Sequence, residues 1–264
     1  MMSMHALSLC EVGRLDEALT LMDRSLALND SNANGAHFKA HTLSETGEAE
    51  AGRSFLDRWI AGYDRRAVLH GHLSWHRALW ALDRGDFAAM WDTLDTAIKP
   101  GASRSLPINI LTDTSALLWR AEIAGAVVAP DRWHDISAYA ARFFPEPGQS
   151  FVDMHAALAH AMAGEGDRLG VLVDVQKGYA ADLVRPVARA WGAIARGEFE
   201  TALDQLAPVM GQHERLGGSR AQRDLLELTW LTLLLRLRRA EEAQRSMLGR
   251  RHVFATHAPV AGYA

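Results

Sequence analysis

The chain carries a single cysteine, Cys10, so no disulfide can form within it and no thiolate zinc site can be assembled. That fits a reducing compartment, and Cys10 itself reads as a small buried hydrophobe near the first helix. Basic charge is not in excess: 28 Lys and Arg stand against 32 Asp and Glu, a net charge of −4. Such a balance does not supply the basic face that nucleic acid requires. The opening MMSMHALSLCEVGRLDEA has no basic stretch ahead of an apolar one, so no secretory leader is expected. The longest apolar run, LTWLTLLLRL at 228–237, is short and flanked by charge, unlike a bilayer span. The expectation is a soluble cytoplasmic protein with no membrane or nucleic-acid partner. Strand signals are scarce as well, with few alternating runs of Val, Ile and Thr and few hairpin dipeptides.

What is abundant is Ala, Leu, Arg and Glu in windows of helical spacing. A turn recurs among them, at Gly13, Gly47, Gly85, Gly125, Gly166 and Gly197, in steps of 34, 38, 40, 41 and 31 residues. RRAEEAQRSML, from Arg238, reads as a degenerate seventh copy. Periods in this range belong to helical repeats. Glycine suits the left-handed residue that ends one helix, and an acidic residue after it favours the start of the next. Five residues beyond the glycine, Ala18, Gly52 and Ala202 are small enough to let antiparallel helices approach, while Met90 predicts looser local packing. The segments PGASRSLP at 100–107 and FFPEPGQ at 143–149 read as longer connections.

GRLDEALTLMDRSLALND resembles the second half of a tetratricopeptide repeat. Gly13, Leu15, Ala18, Leu19 and Leu28 fall at its usual positions, Ser25 stands where alanine is general, and Asp30 where proline is frequent. The expected fold is therefore all-α: a right-handed α-solenoid of about seven antiparallel helix pairs, one domain over 1–264, with residues 250–264 more loosely held.

A plain scaffold does not need all the polar residues on these helices. His37 and His41, and again His72 and His76, sit one turn apart. Two such pairs on adjacent repeats could in principle supply four metal ligands. Neither helix carries His-Glu-x-x-His, however, so the expectation is interhelical hydrogen bonding or a groove lining, with no metal and no cofactor. His70, at a helix start, is expected to face solvent. Asp113 and Arg120 share a face two turns apart, next to Trp119. Asp153 and His155 project nearly opposite ways, which excludes a direct dyad, whereas Asp153 and His160 share a face. His155, among apolar neighbours, reads as a core histidine. In GGSRAQRD, Gly217 and Gly218 interrupt a helix and Ser219 caps the next. Arg220, Gln222, Arg223 and Asp224 then gather at that helix end, either as an anion site or as a network stapling one repeat to another.

GAHFKAHTLSETGEAEAG, HLSWHRALWALDRGDF, DTSALLWRAEIAG, FVDMHAALA and GGSRAQRDLLELT together resemble the tetratricopeptide-repeat protein 38 family, from about Met4 to about Met247. The resemblance implies an all-helical repeat fold and brings no biochemical activity with it. Its matching polar positions are His37, His41, His72, His76, Asp113, Trp119, Arg120, Asp153, His155, Ser219, Gln222, Arg223 and Asp224. The chain departs from the family at Arg220, where histidine is usual, and at Ser74, where tryptophan is frequent. Family members are also longer at the N-terminus, which implies a pocket completed by a further segment or a partner. The functional expectation is a groove lined by His, Trp, Arg and Asp that binds a peptide or protein partner or a small anionic ligand. The alternative is an enzyme using acid–base chemistry on a small anion there. Self-pairing of two copies through LTWLTLLLRL is a third reading.

Overall fold

The computed structural model describes residues 1–250, 254 and 257–263. Regular structure among them is helical throughout, as the scarcity of strand signals predicts, and no described helix is long and apolar enough to cross a membrane. Chain contacts gather into two compact units, Met1–Leu106 and Pro107–Ala264.

The first unit contains α1 (Met2–Glu11), α2 (Leu15–Leu28), α3 (Ala33–Glu45), α4 (Ala49–Ala61), α5 (His70–Asp83) and α6 (Phe87–Thr93), the last running into a π-helical turn at Leu94–Ile98. Each helix packs on the next, and α1 also packs on α3. The core gathers Leu56, Ile60, Leu73 and Trp80 around Ala40, with Met22, Phe38 and Ala6 as a second cluster. Cys10 is buried, as its type predicts. Ser25 has a physical reason for replacing the usual alanine. Its Oγ meets Ser3 Oγ at 2.9 Å and accepts from Asn32 Nδ2 at 3.0 Å, while Asn32 Oδ1 caps α3 by accepting from Gly35 N.

The second unit contains α7 (Pro107–Ile123), α8 (Pro130–Phe143), α9 (Ser150–Met162), α10 (Gly166–Val173), α11 (Ala181–Ala195) and α12 (Phe199–Leu206). A 3-10 turn at His213–Leu216 follows, then α13 (Arg220–Arg236) and α14 (Ala240–Arg250). Neighbouring helices pack in order, and α7 on α9 and α9 on α11 as well. One contact departs from the nearest-neighbour rule of an open stack. α13 returns to α7, where Trp119 Nε1 donates to Thr229 Oγ1 at 2.8 Å. The run LTWLTLLLRL is correspondingly internal. Leu228, Leu231, Leu233 and Leu234 are core residues, which corrects the expectation of an exposed self-pairing patch. They are buried by the chain's own helices because α13 is enclosed between α7, α12 and α14. The segment around Ala258–Ala261 is tied down: Ala258 and Val260 are buried and Ala261 N donates to Ile123 O at 2.8 Å. Within the tail expected to be loose, residues 251–253, 255, 256 and 264 lie outside the described residues.

Among the described residues the same turn chemistry recurs between successive helices at seven places. A residue with positive φ follows the first helix at Gly13, Gly47, Gly85, Gly125, Gly164, Gly197 and Arg238. The next amide then donates to the carbonyl five residues back, as in Arg14 N to Leu9 O and Arg239 N to Leu234 O. This satisfies a helix-end carbonyl that would otherwise lack a partner. One sequence assignment shifts: in GEGD the left-handed residue is Gly164, and Gly166 is already the first residue of α10. Arg238 alone occupies the turn without being glycine, with φ of 59°. Its Cβ is crowded there, so Arg238→Gly is expected to stabilise the chain by about 0.5–1 kcal/mol, read from urea midpoints. Gly13→Ala in the same assay should move the other way.

The small residue five places on does what the spacing predicts. Ala18 and Ala202 are fully buried, and a Cβ added at Gly52 would come within 2.6 Å of Trp80 Cζ2. Trp80 is itself buried, so its ring has nowhere to go. Gly52→Ala is therefore expected to destabilise the first unit by about 1–3 kcal/mol despite alanine's better helix propensity. A rise in its denaturation midpoint would show the α4–α5 contact to be adaptable. Met90, expected to loosen its pair, is fully buried.

Candidate functional site

The thirteen polar positions divide between the two units. In the first, His37 and His41 lie on α3, and His72 and His76 on α5. The helical repeat of 3.6 residues sets each pair on one face, and these faces meet. One ligand atom from each of the four imidazoles lies within 4.8 Å of the others. His37 Nε2 and His41 Nε2 are 2.8 Å apart. Ring centroids are 4.6 Å apart for His37 and His72, and 4.5 Å for His41 and His76. Trp75, fully buried, stacks on His72 with 12° between the planes and meets His76 edge-on, so the α5 pair is held by an indole wall. His41, His72 and His76 are buried, and His37 is half-buried.

Burial sets the charge state of the α3 pair. Desolvation, then the facing imidazoles, hold His37 well below its ordinary value. Desolvation and His72 push His41 down to about 3. Both rings are neutral at pH 7, the form in which imidazole coordinates a metal. A tetrahedral ion with metal–nitrogen bonds of about 2.0–2.1 Å needs nitrogens roughly 3.3–3.4 Å apart. The observed cage spans that figure, from 2.8 Å to 4.8 Å.

His70, expected to face solvent, is buried instead. It lies parallel to Tyr63 at 6.4 Å between centroids, and its carbonyl accepts from Ser74 Oγ at 2.8 Å. The segment before α5 folds over the helix start and covers it. Close packing also explains Gly71, where a Cβ would come within 2.4 Å of Ser103 Oγ.

In the second unit Trp119 and Arg120 join α7 to α13, and the other residues bond locally or sit in the core. Asp113, Arg120, Asp153, His155 and Asp224 are buried. Arg120 Nη2 donates to Ala221 O, joining α7 to the start of α13. Ser219 caps that start, as its residue type predicts, Gln222 completes a reciprocal capping box with it, and Arg223 Nη1 donates to Gly218 O. Gly218 itself lies against Phe151, whose ring meets His155 at 4.7 Å. His155 is a core histidine. Its Nδ1 is 2.8 Å from Phe151 O, and burial, with Arg120 nearby, pushes it down to about 4. Asp153 is engaged elsewhere, accepting from Gly148 N at 2.9 Å, so no Asp153–His155 dyad exists. Two further residues matter here: Ser137, whose Oγ is 2.8 Å from His160 Nδ1, and Arg168, beside His160. Neither stands in a recognisable motif; only the packing of α8 and α10 on α9 brings them to His160.

No protein-family model matches this chain, and no solved structure matches it.

Proposed function

We propose that this is a tetratricopeptide-like helical-repeat binding protein whose first unit coordinates a divalent first-row transition ion through His37, His41, His72 and His76. The observation that supports it is the convergence of four imidazole nitrogens within 4.8 Å, supplied in i, i+4 pairs by two helices. Imidazole suits zinc, copper, nickel and cobalt and discriminates against magnesium and calcium, which prefer oxygen. Four neutral ligands cancel none of the ion's charge, which makes a small carboxylate or phosphate a suitable further ligand. The seven identical interhelix turns support the repeat organisation, and the α13–α7 contact gives the second unit a more closed form than an open solenoid. Binding is favoured over acid–base catalysis because Trp119, Arg120, Gln222 and Arg223 already engage protein groups that join or cap helices.

The test is titration of the chelator-treated chain with cobalt(II), whose visible d–d absorption grows strong in tetrahedral nitrogen coordination. Saturation at one ion per chain, reversed by zinc, is the expected result. Absence of a saturable site, or a weak octahedral spectrum unchanged by His72→Ala, would overturn the proposal.

A further inference from the structure

The second unit holds a pocket unrelated to the histidine cage, of about 150 Å³, lined by residues of α8, α9 and α10 and the connection between α8 and α9. Its apolar wall includes Phe144, Pro145, Val171 and Leu172, and its polar lining is Asp153, His160 and Arg168. These three do not form one ion-paired cluster. Asp153 is 3 % exposed and accepts from the Gly148 amide, yet no basic side chain among the described residues pairs with it. A buried carboxylate lacking a cation is costly, and burial raises this one to about 6. It is ionised at neutral pH and presents a negative pole. Arg168 stands beside His160 instead, tied only loosely to Glu165 at 3.7 Å. Arg168 and Asp153 both line the pocket without an ion pair between them, so it offers a positive and a negative pole. His160 is buried, its Nδ1 is taken by Ser137, and its Nε2 has no protein partner among the described residues.

A negative pole, a positive pole and an apolar wall in one small cavity define a ligand by complementarity. From Asp153, Arg168, His160 and the wall between them, we infer that this pocket binds a small zwitterion: a monoamino monocarboxylic acid with an apolar body. The ammonium sits at Asp153, the carboxylate at Arg168 with His160 Nε2 beside it, and the body lies against Phe144 and Leu172. A cavity of about 150 Å³ accommodates a benzene-sized body, which limits the class to molecules the size of leucine or phenylalanine.

Ligand-detected NMR and calorimetry on the full chain at pH 7 test this with leucine, phenylalanine and ε-aminocaproate, which differ in the separation of their charges. Isoamylamine and isocaproate each lack one pole. The expected result is saturable binding of at least one zwitterion, with both single-pole analogues weaker by at least about tenfold, as loss of a charge-assisted hydrogen bond implies. Asp153→Asn, which keeps the shape and can still accept from Gly148, should abolish the preference for the zwitterion over isocaproate. Arg168→Gln, on the exposed side of α10, should abolish the preference over isoamylamine, and it serves alone should Asp153→Asn fail to fold. Failure of every zwitterion to bind at millimolar concentration overturns the inference. So does binding that Arg168→Gln leaves unchanged. Neither result bears on the histidine cage, which lies in the other unit.

Discussion

His72→Ala combined with His76→Ala abolishes metal binding, and each alone weakens it by about a hundredfold or more. Zinc binding by four-ligand structural sites is worth about 10–16 kcal/mol at pH 7, or roughly 2.5–4 kcal/mol per ligand, and each 1.4 kcal/mol is a factor of ten. The double variant removes one half of the cage, and the half that is left, His37 and His41, is too small to hold an ion tightly. The wild-type chain should also melt at higher temperature with zinc than with chelator, since an ion that binds only the folded state stabilises it by RT ln(1 + [M]/Kd), about 4 kcal/mol at a thousandfold excess over Kd. The double variant should show no such shift. Trp75→Phe separates positioning from ligation. It keeps a ring against His72, so it should weaken binding less than removal of either α5 histidine, by about 10–100-fold. Equal zinc shifts in wild type and double variant would place the metal on other histidines and dismiss the cage.

Acidification of the metal-free chain from pH 7 to pH 4 is expected to cost several kcal/mol of stability. His155 and His160 are both pushed to about 4 by burial, from an ordinary value of 6.5. Between those values the unfolded chain binds protons that the folded chain refuses, so stability is complete above about pH 6.5 and falls as pH drops toward 4. Each of the two contributes on the order of 3 kcal/mol across that window. His41, lowered to about 3, acts in the same direction. Asp153 acts in the opposite one. Its folded value near 6 lies above its ordinary 3.8, so it takes up a proton earlier when folded and offsets part of the loss between pH 6 and 4. Urea midpoints measured with chelator at pH 7, 5.5 and 4.5 should fall steadily. His160→Gln, which keeps a polar partner for Ser137, should flatten the slope below pH 6. Midpoints that rise on acidification would mean these histidines are paired with acids rather than merely buried.

Much of the architecture follows from local chemistry and is legible in the sequence. Six of the seven interhelix turns announce themselves by glycine, because only a residue without Cβ adopts positive φ at no steric cost. The seventh is readable from RRAEEA despite Arg238. Cys10 buried, Ser219 capping α13 and His155 in the core follow from residue type and position in the same way. What spacing supplies at His37/His41 and His72/His76 is two faces, each on its own helix. Whether those faces meet, and how closely, depends on how α3 and α5 pack through α4, and tertiary structure alone decides that. The same holds for His70, covered by the segment before α5, and for α13, whose apolar run looks like an exposed patch until α7 returns to cover it. Asp153, His160 and Arg168 line one pocket because α10 folds back on α9, a contact that no periodicity records. Backbone geometry is set by neighbours a few residues away and is written in the chain. The chemistry of a site is set by groups dozens of residues apart, and it exists only once the helices have packed.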